Sequence, residues 1–512
     1  MTTRPDFLAS LRLLALGAMW ICAAVTCRDG WAQVAPKVPN VPVPENTDVF
    51  SLDLDGTQKY SSIHNFELLG HSYFKIPERT DWAKAKGRAG VEVGSGFNSV
   101  RVYDGIAYLA GYNSPPTLFG VMLADVRDPK NMKPLSFIPC EPQGARCTYL
   151  RVNRRKKILM FGSDLLQPGS DAPTGWFFYD VSNPRKPVRK GFVPVAPGAK
   201  THGMDADDRY LYGCGQYRSD LSQEAVQIID YADPSHPKQV ATWHVLGQIA
   251  GEEPGPLDRN GPDGKPQILM CHEIVYYNDR LYIGYRDAGM KILDVKDRND
   301  PKLLATFDYV PPFHGGYLGA AHTAAPVVTE VGKDPDLVVL TDEIFDCPVG
   351  FGRILDISDL KNPDVIAGSR AANVQMLSSF RAPYIGDVFD FGKRDFTCPK
   401  GGGPLNFVGN MTIGNTTHLP WFDRRSPSLV YVTWYDEGVR VMDISNPYAP
   451  TFIGYYLSPR YAAPGRGDRH TREIFQDPDT DILYVTDGNG GGLTVLRYLG
   501  PIPSNSPIPG AR

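Results

Sequence analysis

Apolar and polar positions along this chain fall into short runs of β-favouring residues separated by turn signals. The clearest example is Gly438 to Leu457, GVRVMDISNPYAPTFIGYYL. Val439, Val441 and Ile444 sit in a strand-like run, Asp443 and Asn446-Pro447 break it, Pro450 sets a second turn, and Thr451 to Leu457 reads as another strand. Pro447 and Pro450 have no N–H to give a ladder, so the link between the runs is a turn and not a central strand. The same phrase returns around Asp125, Pro129 and Pro134, around Asp180, Pro184 and Pro187, and around Asp230, Pro234 and Pro237. Further copies carry Asp294 with Pro301 and Asp356 with Pro363. Six copies in register make an internal repeat, and a repeat constrains the fold more tightly than any single element.

Taken in order, the repeats predict blades of four strands. The first spans Gly94 to Cys140, with strands near Ser99–Val102, Ala107–Gly111 and Phe119–Val126. The second runs from Glu141 to Val195, the third from Ala196 to Val245, and the fourth from Gln267 to Tyr309. Gly319 to Ala371 is the fifth and Leu405 to Leu457 the sixth, with polar insertions expected at Gly251–Lys265 and Asn373–Pro404. The seventh, Gly467 to Gly500, supplies only three strands, while an orphan strand, Asn65 to Lys75, lies far upstream. That pairing of a deficit with a surplus predicts an all-β, seven-bladed β-propeller closed by the N-terminal strand joining the last blade, which removes an exposed sheet edge.

Composition supports this reading. Gly 51 and Pro 45 in 512 residues suit a chain of strands and turns, and 42% hydrophobic content supplies a core. A net charge of −4 gives no electrostatic footprint for nucleic acid. Residues 1–32 read as a signal peptide, with Arg4 and Arg12 before the apolar run Leu13 to Ala24, which is short for a membrane span. Residues 33–47 form a Pro-rich leader, 48–500 the propeller and 501–512 a Pro-rich tail, with no transmembrane segment expected after cleavage. The expected location is the periplasm, the cell surface or the medium. Six cysteines remain in the mature chain, and an oxidising compartment allows the pairs Cys140–Cys147, Cys347–Cys398 and Cys214–Cys271.

The repeated phrase, G-[VL]-x-[VI]-x-D-[VI]-S-x-P-x-x-P in its fullest form, resembles the LVIVD repeat of exported and cell-surface bacterial propellers. The resemblance extends over roughly Asn65 to Tyr498. It implies architecture rather than activity, because the repeated residues build blades. Asp443 and its equivalents are expected to cap turns by accepting from neighbouring backbone N–H groups.

Function must then come from residues the repeat does not require. His202, His272, His322, His418 and His470 each lie just before the expected first strand of blades three to seven. In a propeller that strand lines the central channel, so these five side chains are expected to converge on the axis. Imidazoles converging at about 2 Å from one ion hold transition metals, here iron or copper before zinc. Glu273 and Glu473 are candidates to orient the ligands from behind. Asp342-Glu343, Asp436-Glu437 and Asp287 end second strands, and Arg472, Trp434 and Tyr435 are candidates for a pocket mouth. Histidines at strand entries are similar to those of selenium-binding proteins, including methanethiol oxidases, and of carotenoid-cleaving oxygenases. That resemblance implies His202, His272, His322, His418 and His470 as ligands and Glu273 as a supporting carboxylate.

Two function classes stand at this point. One is an exported metal-dependent oxidoreductase acting on a small-molecule substrate. The other is a non-catalytic propeller that binds a surface protein or glycan through its loops.

Overall fold

The computed structural model describes residues 52–74, 96–111, 119–142, 145–165, 173–249, 267–309, 320–344, 350–360, 374–380, 416–459 and 469–504, together with 43–44, 47 and 251–252. The segment expected to be a signal peptide and most of the Pro-rich stretch after it lie outside the described residues, as do the expected Gly251–Lys265 insertion beyond Glu252 and both Cys347 and Cys398.

Seven antiparallel sheets, six of four strands and one of five, succeed one another along the chain, and each is a blade. Their first strands are Ser99–Tyr103, Leu150–Asn153, Thr201–Ala206, Glu273–Tyr277, Ala321–Pro326, Thr417–Asp423 and Thr471–Gln476. Each of these neighbours the first strand of the next blade, and the seventh neighbours the first, so the ring closes. The chain is a seven-bladed β-propeller.

The hydrophobic pattern explains the packing. Strands in the middle of a blade are covered on both faces, so they read as continuous apolar runs such as Leu337–Asp342, every residue of which is buried. Outer strands are half solvated, as in Lys133–Pro139. Seven hydrophobic clusters fill the seven seams between blades. The seam that closes the ring sets Val100, Leu109 and Met122 of blade 1 against Phe475, Tyr484 and Val495 of blade 7.

The orphan strand does what its sequence position predicts. Phe66–Ser72 pairs with Gly492–Tyr498 as the fourth strand of blade 7, Phe66 opposite Tyr498. The preceding Ser62–His64 goes further than expected and adds a fifth strand to blade 6, pairing with Thr451–Leu457. A short helix, Leu54–Tyr60, precedes them and is capped by Asp53, whose Oδ1 accepts from the Gly56 N–H at 2.7 Å.

The repeat phrase is the connection from third to fourth strand. In all six copies the aspartate caps the turn: Asp180 Oδ1 accepts from Ser182 N at 2.8 Å, Asp230 from Ala232 at 2.8 Å and Asp443 from Ser445 at 2.8 Å. Asp125, Asp294 and Asp356 do the same for Arg127, Lys296 and Ser358. The proline docks this turn onto the preceding blade. Ser136 donates to the Pro184 carbonyl at 2.6 Å, and Ser378 to that of Pro447 at 2.6 Å. Glycine serves where the approach is closer still: a Cβ on Gly70 would stand 1.9 Å from the Pro129 oxygen, and one on Gly191 would stand 2.4 Å from that of Pro234. Each fourth strand carries a bulge near this contact, the N-terminal strand included.

One expectation is corrected. Asn373–Pro404 is not wholly an insertion, because Gln375–Phe380 pairs with Gly352–Asp356 as the fourth strand of blade 5. Pro363 marks the repeat phrase, but the link from Asp356 to Gln375 is longer than its equivalents, such as Asp294 to Lys302. The strand therefore falls later than the phrase suggests. The cysteines form Cys140–Cys147 and Cys214–Cys271 disulfides.

Candidate functional site at the mouth of the channel

The two ends of the propeller carry different connections. One end holds the links from first to second strand and the repeat turns. The other holds the links from second to third strand and from each blade to the next, and here the histidines gather.

His272 and His470 immediately precede a first strand, while His202, His322 and His418 are the second residue of one. The rings follow one another around the axis. Centroids are 4.2 Å apart for His202–His272, 4.3 Å for His272–His322 and 4.2 Å for His322–His418. Tyr435 then intervenes, 5.0 Å from His418 and 4.4 Å from His470. Tyr149 of blade 2 continues the arc on the other side, 5.2 Å from His202. His272, His322, His418 and His470 are buried, and His202 is partly exposed.

Backbone and side-chain partners settle how these imidazoles are presented. His418 Nδ1 donates to the Arg472 carbonyl at 2.6 Å, and its Nε2 accepts from Arg472 Nη1 at 3.4 Å. His470 Nδ1 meets Asn489 Oδ1 at 3.1 Å, and Asp487 Oδ2 fixes the His470 backbone by accepting its N–H at 2.7 Å. His322 Nδ1 contacts Thr323 Oγ1 at 2.6 Å. The Nε2 atoms of His322 and His470 and the Nδ1 of His272 have no hydrogen-bond partner among the described residues. Burial holds all five rings far below the ordinary imidazole range, His418 to about 3, with Arg286 or Arg472 adding to the effect. They are neutral imidazoles, the form that binds metals.

The carboxylate at their centre is Glu343, on the connection after the second strand of blade 5. Its Oε2 accepts from Arg286 Nη2 at 2.7 Å and lies 3.7 Å from His272 Nε2 and 3.8 Å from His322 Nε2. Its Oε1 accepts from the Tyr435 hydroxyl, and Arg472 Nη1 is 3.7 Å away. Burial pushes this carboxyl up, but Arg286, His418 and Arg472 outweigh it, so Glu343 is ionised. Donor atoms of His272, His322 and Glu343 all lie within 4.8 Å of one another. Two imidazoles and a carboxylate form the donor set of non-haem iron centres.

Glu273 and Glu473 occupy a different layer. Glu473 joins blade 7 to blade 1, accepting from Val100 N at 2.7 Å and Arg101 Nη1 at 2.8 Å. Glu273 is hydrogen-bonded to Tyr149, and burial, reinforced by Glu473, pushes it up to about 8. It thus reaches the histidine arc only through the ring that packs on His202. Trp434 does not line a mouth but fills the seam between blades 5 and 6. Arg286 escaped sequence reasoning entirely. It stands at φ +44° within the turn from Tyr285 to Gly289 that links the second and third strands of blade 4, and no motif marks it.

Both disulfides lie at this same end. Cys271 directly precedes His272 and ties it to Cys214 of blade 3, and Cys147 stands two residues before Tyr149.

Comparison with known proteins adds the following. No family model matches the chain, and no curated protein is similar to it. Among solved structures it is similar to the β-propeller domain of Myceliophteria thermophila Cps50 (Swd1), at 12% identity and a TM-score of 0.46, over 79% of this chain and 96% of that one. It is also similar to the WD40 β-propeller domain of Doa1, at 9% identity and a TM-score of 0.44, over 84% of this chain and 96% of that one. The assignment of seven blades rests on the strand pairing of the chain itself.

Proposed function

We propose that this protein is an exported LVIVD-type propeller that holds a transition metal, iron or copper, at the histidine end of its channel. The observation that carries the reading is the convergence of neutral His272 and His322 on the ionised Glu343, with imidazole lone pairs left unpartnered among the described residues. A buried lone pair without a partner is costly unless something occupies it. His418 and His202 flank the trio and complete a set of up to four imidazoles. Held by these residues, such an ion would supply oxidative chemistry on a small substrate. Export is supported by the apolar leader segment and the two disulfides. No helix among the described residues is long and apolar enough to cross a membrane.

The test is elemental analysis of protein exported by a bacterial host and purified without a His-tag. One equivalent of iron or copper, lost in Glu343→Gln and His322→Ala variants that remain folded, supports the proposal. Folded, metal-free protein from metal-replete cells overturns it. That outcome favours the other reading, a binding propeller, which the fold alone supports.

A further inference from the structure

We propose that Arg286 forms a binding subsite for a small monoanion, of carboxylate type, inside the channel mouth. The inference stands beside the metal reading and does not depend on it. Arg286 is 1% exposed, among the most deeply buried large side chains in the protein. A guanidinium has five N–H hydrogens. Here Nη2 donates to Glu343 Oε2 at 2.7 Å, while Nε and Nη1 meet no acceptor among the described residues. The guanidinium borders the site, because the Glu343 Oε2 that its Nη2 holds is also 3.7 Å from His272 and 3.8 Å from His322.

Leaving a buried cation partly unpaired is expensive, and so is the backbone that holds it there. Arg286 is a non-glycine residue at φ +44°, fixed by a two-way bridge to Ala321 of blade 5, N–H to carbonyl at 3.1 Å in each direction. The position is therefore enforced by the seam between blades 4 and 5.

Charge indicates what fills it. Two guanidinium groups, Arg286 at 2.7 Å and Arg472 at 3.7 Å, stand against one carboxylate, Glu343. Guanidinium groups thus outnumber carboxylates at Glu343, which favours an added anion. A planar carboxylate also matches the guanidinium fork, as the Glu343 carboxylate already does. A divalent metal on His272 and His322 raises the positive charge further, so it strengthens the same preference.

The experiment titrates metal-stripped full-length protein with formate and acetate by calorimetry, using chloride to keep ionic strength constant and phosphate as comparator. Binding of one carboxylate per chain, weakened at least tenfold by Arg286→Gln, is the expected result. Arg286→Lys keeps the charge without the fork and is expected to lose several-fold. Should neither variant fold, a wild-type crystal grown in acetate decides the matter by electron density within hydrogen-bond distance of Arg286 Nη1. No carboxylate binding, binding insensitive to Arg286, tighter binding of phosphate than of carboxylate, or an acetate-grown crystal with no density at Arg286 Nη1 overturns the proposal. Metal content is measured separately, so failure of the metal reading and failure of this one are distinguishable.

Discussion

The repeat end and the histidine end of this propeller are built from the same strands and obey opposite rules. At the repeat end the polar contacts of the turns follow one pattern from blade to blade. Each aspartate caps its own turn, the turns at Pro129, Pro184, Pro234 and Pro447 seat on the neighbouring blade, and six copies repeat the cap with small variations. At the histidine end the polar groups differ from blade to blade, reach across seams, and leave buried donors and acceptors unpaired among the described residues. Repetition marks what holds the ring together. Departure from repetition, at a cost in unpaired polar groups, marks where a ligand belongs.

Substitutions sharpen this contrast. The largest expected effect is on metal: His272→Ala with His322→Ala removes bound metal almost completely while the far-ultraviolet circular dichroism stays that of a β-sheet protein. Breaking the disulfide behind His272, by Cys214→Ser with Cys271→Ser, is expected to cost about 3 kcal/mol of stability in denaturant titration under non-reducing conditions. At the other end, Gly191→Val drives a side chain into the Pro234 carbonyl and is expected to cost about 2–3 kcal/mol with metal content unchanged. Acid tests the neutral imidazoles. Their folded-state affinity for protons is depressed, so the unfolded chain takes up more protons, and the stability they confer is present above about pH 6.5 and lost as pH falls below it. The melting temperature is expected to drop between pH 7 and pH 5, and to drop less steeply in a His470→Gln variant. The smallest effect is Asp180→Ala, which removes one turn cap and is expected to cost about 1 kcal/mol without touching the site.

The sequence exposed these two ends unequally. Seven blades were legible because the turn from third to fourth strand needs an aspartate acceptor and a proline at fixed spacing, and that need leaves a visible phrase. Closure was legible because Phe66–Ser72 is a strand without a blade and blade 7 is a blade without a strand. The histidine register was legible for a similar reason, since position relative to a first strand decides what faces the axis. The small residues opposite each proline turn, Ser136, Gly191, Ser378 and Gly70, make sense only once the neighbouring blade is in place. Glu343 showed as a strand end, but its central role depends on contacts across the seams to blades 4 and 6. Arg286 left no trace, because its partners lie in another blade and its backbone conformation is imposed by the bridge to Ala321. Long-range polar contacts have no local sequence period, and these are what distinguish the site from the scaffold.

The most direct test of a metal centre at the histidine end is anomalous diffraction from a crystal of untagged protein, collected on both sides of the iron and copper absorption edges. The expected result is one peak on the channel axis, about 2 Å from imidazole nitrogens of His272 and His322. A peak elsewhere, or none from protein grown in metal-replete medium, would contradict it.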